Sequence, residues 1–315
     1  MPENNFPDSN WERQVIEKLA YSALQEQRRA RHWGIFFKLL LFIWLFGMLF
    51  LIVGWLGKTE VPLAGKHTSL VDLDGIIAPD TDNSAENIIS GLQQAFKDKN
   101  TKGVILRINS PGGSPVQAGD INDGIRRLRA KYPDIPIYVV VDDICASGGY
   151  YVAVAADKIF VNKASIIGSI GVLIDGFGFT GTMQKLGIDR RLLTAGENKG
   201  FLDPFSPLIP AQKAYAQKML DEIHQQFIQV VRQGRGKRLK ETPDLFSGLV
   251  WTGEESVKLG LADGLGDVDY VAREVVKAEE VVDYTPHESV VERFARHFGG
   301  AMGKALLGSA GWSLR

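Results

Sequence analysis

Cysteine is almost absent: Cys145 stands alone in 315 residues. An intrachain disulfide is therefore impossible, and no CxxC pair exists to build a structural zinc site. A lone cysteine fits oxidising and reducing compartments alike. Net charge is also nearly absent, with 36 Lys and Arg against 37 Asp and Glu leaving −1. Such a balance gives no global attraction to nucleic acid, and no nucleic-acid partner is expected. Histidine is scarce. His32, His67, His224, His287 and His297 are the whole set, and none lies in a Gly-rich or strand-end context. A Ser-His-Asp triad thus has no evident base, and the GxSxG elbow that often accompanies one is missing. No internal repeat or low-complexity tract appears, and no cofactor or metal set is expected.

What the chain does have is a long uncharged run. From Leu39 to Trp55 it reads "LLLFIWLFGMLFLIVGW". Extended over 33–57, with Lys38 snorkelling, it is long enough to cross a bilayer. So long a stretch without charge argues against a buried core helix, and its length and distance from Met1 argue against a cleaved signal peptide. Arg28, Arg29 and Arg31 precede the span, while only Lys58, Glu60 and Lys66 follow closely. The positive side stays in the cytoplasm. Residues 1–32 are therefore expected as a cytoplasmic tail, 33–57 as the span, 58–67 as a linker and the remainder as exported. Residues 11–31 read either as a short amphipathic helix on the inner surface, with Trp11, Val15, Leu19 and Leu24 on its apolar side, or as a solvated tail.

Beyond the linker, strand-like and helix-like segments alternate. "HTSLVDLDGIIA", "KGVILRI", "IPIYVVV", "DKIFVN" and "DRRLLTA" read as strands. "SAENIISGLQQAFKDKN", "VQAGDINDGIRRLRAKY", "GGYYVAVAA" and "GTMQKLGI" read as helices, the first with a Ser cap. A long helix follows Pro210, with Tyr215, Met219, Ile223, Phe227 and Val230 on one stripe. "TGEESV" opens another helix with a capping box, and after two Gly breaks "DVDYVAREVVKAEE" reads as helix again. Alternation of this kind predicts an α/β fold with a largely parallel sheet. Residues 68–285 form that domain, and 286–315 an amphipathic, basic tail.

Two Gly-rich turns follow strands in this domain: "RINSPGGSP" (107–115) and "CASGGYY" (145–151). Sites in open α/β sheets form at the carboxyl ends of strands, where glycine turns expose backbone N–H groups. Ser147 at such a turn offers a hydroxyl nucleophile beside an oxyanion hole. Cys145, two residues earlier, would share its side of a strand. Serine needs a base, and lysine serves where burial disfavours its charged form. Lys199, in a loop after "DRRLLTA", is so placed, although a lysine in a loop is by composition usually a solvated one.

"INSPGG", "ASGGYYVAVAAD", "ASIIGSIGV" and "TAGENKGFLDPFSPL" occur in the order, and close to the spacing, of motifs in the bacterial signal peptide peptidase A family. "VWTGEESVKLGLADGLGD" resembles that family's closing motif. The resemblance covers roughly residues 68–275. It implies the fold shared with Clp protease and crotonase, and a serine protease with a Ser-Lys dyad. Carried over, it makes Ser147 the nucleophile and Lys199 the general base. The N–H groups of Gly113 and Gly148 would form the oxyanion hole, with Gly112 as a possible substitute for Gly113. Ser169 would orient Lys199, or else be a turn serine. It further implies a protease anchored in the bacterial inner membrane with its catalytic domain outside the cytoplasm. Its substrates would be hydrophobic peptides, such as signal-peptide remnants in membrane lipid. "ASIIGSIGVL" is expected to offer an edge for an extended peptide. The chain carries one set of motifs where double-length members carry two, so a homo-oligomeric ring is expected, with Ser and Lys supplied by adjacent protomers. Two other readings share the fold: a crotonase-like acyl-CoA enzyme and a catalytically silent membrane scaffold. Export disfavours the first, and the presence of both dyad residues disfavours the second.

Overall fold

A computed structural model describes residues 9–56 and 65–286. Lys58, Glu60, His287, His297 and the tail from 287 lie outside the described residues. The chain divides into two compact units, 1–63 and 64–315. The first holds α1 (Ser9–Leu56), one unbroken helix that contains a stretch long and apolar enough to cross a membrane. The separate helix expected over 11–31 is therefore corrected. Where the charged tail meets the span only Gly34 resists helix, and one glycine costs about 1 kcal/mol against alanine. Helix formers on both sides carry the helix through.

In the second unit the strand-helix alternation continues. The elements are β1 (His67–Asp74), α2 (Ala85–Lys97), β2 (Thr101–Ser110), α3 (Pro115–Lys131), β3 (Ile137–Ala146), α4 (Gly148–Ala153), β4 (Lys158–Val161) and β5 (Ile166–Gly168). Then come α5 (Thr180–Lys185), α6 (Pro210–Arg235), β6 (Val250–Thr252), α7 (Gly253–Lys258), β7 (Gly264–Leu265), α8 (Val268–Tyr270) and β8 (Val281–Asp283). Local chemistry sets the boundaries. Ser84, Ser114 and Thr252 cap α2, α3 and α7 through side-chain oxygens that accept from Asn87, Gln117 and Glu255 N–H, and Pro210 opens α6 at a position that needs no N–H partner.

The sheet runs β6-β5-β3-β2-β1-β8, with β4 beside β3 and β7 beside β4. Every pairing is parallel except β5 with β6. Alternate residues of β1 to β3 serve two cores, as the period of a strand requires. Val71, Leu106 and Val139 join the main core with Ile88, Ile121, Val152 and Phe227. Leu70, Ile105 and Val140 face a smaller cluster with Phe160, Val271 and Ala272. Burial on both faces is what a parallel sheet needs.

Two expected elements do not form as read. Residues 189–195, "DRRLLTA", form no strand and lie exposed; within one chain no neighbouring strand satisfies their backbone. The helix expected over "DVDYVAREVVKAEE" shortens to α8 and a π-helical turn at Val271–Val276, ended by Lys277 in a left-handed conformation, before β8. The stripe on α6 is only partly core, with Phe227 buried and Tyr215 exposed.

Candidate active site

Ser147 stands where β3 ends and α4 begins. Its path there is bent by a bulge: β2 advances from Ile108 to Ser110 while β3 advances from Val141 to Cys145. β3 thereby changes partner, pairing with β4 through Val141 and with β5 from Ile144. Bulges increase local twist and re-aim the residues beyond them.

Beyond this bulge Ser147 adopts φ 51 and ψ −121. A left-handed φ in a non-glycine residue costs on the order of 1–3 kcal/mol and persists only where its surroundings hold it. Here the Ser147 N–H donates to the Gly168 carbonyl at 2.8 Å, and the Ser147 carbonyl accepts from Tyr151 N–H at 2.9 Å. From the other side comes the 110–114 loop. A Cβ on Gly112 would lie 2.8 Å from Ser147 Cβ and 2.7 Å from Gly148 N, so only glycine lets this loop approach so closely. Ser110 Oγ accepts from Gly112 N–H at 3.1 Å and donates to the Gly75 carbonyl at 2.6 Å, fixing the loop.

The same approach brings Gly113 and Gly148 together, since a Cβ on Gly148 would lie 3.3 Å from Gly113 N. Among the described residues neither N–H has an acceptor. Gly148 is the first residue of α4, where an N–H has no intrahelical partner. Gly113 is the bridge partner of Ile77, and that parallel bridge is bonded through the flanking Gly112 carbonyl and Ser114 N–H instead. A half-buried hydroxyl therefore lies beside two free N–H donors, which is the layout acyl transfer needs.

Ser169 follows Gly168 directly, has φ 49, and donates its N–H to the Leu249 carbonyl at 2.8 Å. It thus adjoins the peptide that anchors Ser147. The neighbouring strand β5 is paired on both flanks, by β3 and β6. The free edge expected over "ASIIGSIGVL" is therefore absent at Ile166–Gly168.

Lys199 lies elsewhere. It sits exposed in a turn closed by its own N–H on the Gly196 carbonyl at 3.1 Å, and the turn docks on α6 through Gln212 Nε2, which donates to Asn198 Oδ1 at 3.4 Å. Among the described residues neither the Lys199 ammonium nor the Ser147 hydroxyl has a hydrogen-bond partner. A single chain does not join them.

Cys145, His224 and His67 are each engaged elsewhere. Cys145 is fully buried in the main core, and burial pushes its thiol far above the ordinary range, which keeps it from forming a thiolate. His224 Nε2 is 3.0 Å from the Ile170 carbonyl. His67 Nε2 lies 3.2 Å from Tyr284 Oη, which donates to Asp98 Oδ2 at 2.6 Å. Among the described residues no group of His, Cys, Asp and Glu is placed to hold a metal ion. Tyr150 packs in the core and donates its hydroxyl to the Leu261 carbonyl at 2.8 Å, and Tyr151 packs on Phe227. Gly149 faces Ser110, whose carbonyl would lie 3.0 Å from an added Cβ. One neighbour is missed by sequence reasoning: Trp251, whose indole covers Gly168. Its only signal is a large aromatic residue in a three-residue strand.

The sequence profile of peptidase family S49 matches residues 129–282. A relative in Brucella melitensis, named as a Na(+)/H(+) antiporter NhaA, is 42% identical over 67% of this chain, which spans only 28% of that protein. A candidate protease of Methanocaldococcus jannaschii is 34% identical over 69% of this chain and 70% of its own length. A candidate signal peptide peptidase SppA of Enterococcus faecium is 30% identical over 72% and 67%, respectively.

Proposed function

The chain belongs to peptidase family S49, and from that premise we propose that it is a membrane-anchored serine endopeptidase of hydrophobic peptides, such as signal-peptide remnants. The observation that carries the proposal is the Ser147 elbow: a hydroxyl on a left-handed residue, with the unpartnered Gly113 and Gly148 N–H groups beside it. Ser147 Oγ attacks the scissile carbonyl, and Lys199 Nζ takes its proton. The tetrahedral oxyanion forms against the two N–H donors, which are already in place and need no reorganisation. Lys199 then gives the proton to the leaving amine, and water repeats the sequence on the acyl-enzyme. Ser169, beside the nucleophile's anchor, orients Lys199.

The base comes from a neighbouring copy. Two facts support this: Lys199 is exposed and has no partner among the described residues, and the segment 173–199 carries exposed Leu173, Phe177 and Leu193 at 80%, 76% and 95%. Apolar surface so concentrated marks an interaction site. In a heterologous ring every site joins Ser147 of one chain to Lys199 of the next. The helix α1 anchors the chain in the inner membrane, N-terminus inside, and the tether raises the local concentration of membrane-bound peptides.

The test uses the detergent-solubilised full chain with a serine-reactive fluorophosphonate probe and a fluorogenic apolar peptide. Ser147→Ala and Lys199→Ala should each lose activity by orders of magnitude, since the two act as a unit. Reassembling the two dead variants together at equal ratio should restore about a quarter of the junctions. Full labelling of Ser147→Ala would refute the nucleophile. A mixed assembly that contains both chains and stays dead would place the dyad within one chain.

A further inference from the structure

Three residues at the site share an uncommon backbone: Ser147 (φ 51), Gly168 (φ 112) and Ser169 (φ 49). They form one structural unit, because Ser147 N–H donates to the Gly168 carbonyl and Ser169 follows in the chain. Strain of this kind must be held from outside, or the backbone relaxes to ordinary angles. One side of the unit is held by the 110–114 loop against Ser147. The other side is held at Gly168.

There β6 runs antiparallel to β5 with Ile167 opposite Trp251 and Gly168 opposite Val250. The Trp251 indole lies across Gly168. A Cβ on Gly168 would be 3.0 Å from Trp251 Cδ1, 3.4 Å from its Nε1 and 3.1 Å from the Leu249 carbonyl oxygen. Trp251 also packs against the main core. Its Nε1–H is buried and has no acceptor among the described residues. A buried donor left unmade is a cost to the fold, and a phenylalanine would pack there without it. What the position requires is therefore a large flat plate of fixed orientation, and tryptophan meets that requirement despite its unused N–H.

We propose that Trp251 is a positioning residue for Ser147. Its indole fills the space beside Gly168 so that the Gly168 carbonyl stays on the Ser147 N–H, and through that bond it holds Oγ in register with the Gly113 and Gly148 donors. The inference rests on Ser147 being the nucleophile. Without the plate, Gly168 is free to swing into the vacated space, its carbonyl leaves the Ser147 N–H, and Ser147 relaxes toward a right-handed or extended φ. Misplacement of a reacting atom by about 1 Å can cost roughly 100-fold in rate.

The test measures probe labelling of the full chain per folded molecule, together with kcat and KM on the apolar peptide and the melting temperature. Trp251→Ala should lower labelling and kcat by about 100-fold with KM within a few fold. Trp251→Phe, which keeps an aromatic plate, should recover most of that loss. Gly168→Ala, which pushes on the same contact from the other side, should reproduce it. Trp251→Leu serves if the alanine variant does not fold. The emission difference between the wild type and Trp251→Phe should shift when Ser147 is labelled. Wild-type labelling per folded molecule in Trp251→Ala or Trp251→Leu, with Ser147→Ala dead, would overturn the positioning role alone. A drop in melting temperature with unchanged kcat would do the same. Labelling that survives in Ser147→Ala would remove the nucleophile and this inference with it.

Discussion

Arg235→Ala tests what the closing segment "GLADGLGD" does. Arg235, at the end of α6, is 1% exposed. Its Nε donates to the Gly260 carbonyl at 2.8 Å, and its Nη1 to Asp263 Oδ2 at 2.8 Å. The same carboxylate accepts Ile159 N–H at 2.7 Å and Arg238 Nη1 at 3.0 Å. One buried carboxylate thus ties α6, β4 and the loop before β7. Removing a buried ion's partner costs about 3–5 kcal/mol, and Arg238 remains in place here, so about 3 kcal/mol is expected. That is roughly a 100-fold change in the folded-to-unfolded ratio, or about 6–12 °C in melting temperature for a unit of this size. The pH dependence comes from Asp263. Burial alone would raise its carboxyl, but the Arg235 hydrogen bond and charge, the Ile159 N–H and Arg238 outweigh burial and hold it below its ordinary value. A depressed carboxyl stabilises the fold above its unfolded pKa, and that stability is lost as pH falls through the folded value. In Arg235→Ala the carboxyl is less depressed, so this pH-dependent loss should be smaller and the gap to the wild type should narrow as pH falls. Circular dichroism melts of the solubilised chain from pH 7 downward measure both effects, with probe labelling at low temperature as the check on catalysis. Arg235→Lys should not rescue, since a single ammonium cannot reach both the Gly260 carbonyl and Asp263 as the guanidinium fork does. A wild-type melting temperature for Arg235→Ala at pH 7, or slower labelling per folded molecule, would refute the structural assignment.

Gly113→Ala should lower kcat by about 100- to 1000-fold, because its Cβ would meet the Ile77 carbonyl oxygen at 2.1 Å at φ 149 and force the N–H donor to move; an unchanged kcat would remove Gly113 from the oxyanion hole. Cys145 should resist iodoacetamide in the folded chain at pH 8 and react fully in urea, since burial holds its thiol protonated; rapid native alkylation would contradict its place in the core. A lysine base acts only when neutral, so kcat for the apolar peptide should climb with pH from the acid side; a rate flat from acid to neutral pH would exclude lysine. Ser84→Ala removes the oxygen that caps α2 and should cost about 1 kcal/mol, read as a fall of roughly 2–4 °C in melting temperature with labelling unchanged.

Where local signals and tertiary contacts agree, the sequence is readable. The caps at Ser84 and Thr252, the proline opening α6 and the alternating core residues of β1 to β3 all appear where periodicity and cap chemistry put them. Ser147 is visible for a related reason: a polar residue between an apolar run and two glycines has no use in a plain turn. The bulge at Asp142 to Ile144 is not visible, because it goes with the exchange of β4 for β5 as partner of β3, a long-range event. Nor is β5 between two strands, since its antiparallel neighbour β6 lies more than 80 residues further along the chain. Trp251 escapes for the same reason: its role depends on the register of that long-range pair. α1 reads as two pieces because charge changes at Arg31 while helix propensity does not.

The segment "DRRLLTA" shows where reading by pattern reaches its limit. Its position in the strand-helix alternation and its Leu192, Leu193 and Thr194 suggest a strand, yet in one chain residues 189–195 have no strand partner among the described residues and Leu193 stands in solvent. Strand propensity measures fit to a neighbouring pleated surface, not a preference of the isolated backbone. A strand signal that one chain leaves unused, next to a lysine without a partner among the described residues and to exposed apolar side chains, is what the neighbouring copy proposed above would account for. On the assembly proposed above, the surface that would order this segment is the surface that would bring Lys199 to Ser147. Base and nucleophile would then meet only once the ring has formed, and an unassembled protomer would hold its hydroxyl and oxyanion donors ready but lack the group that takes the proton.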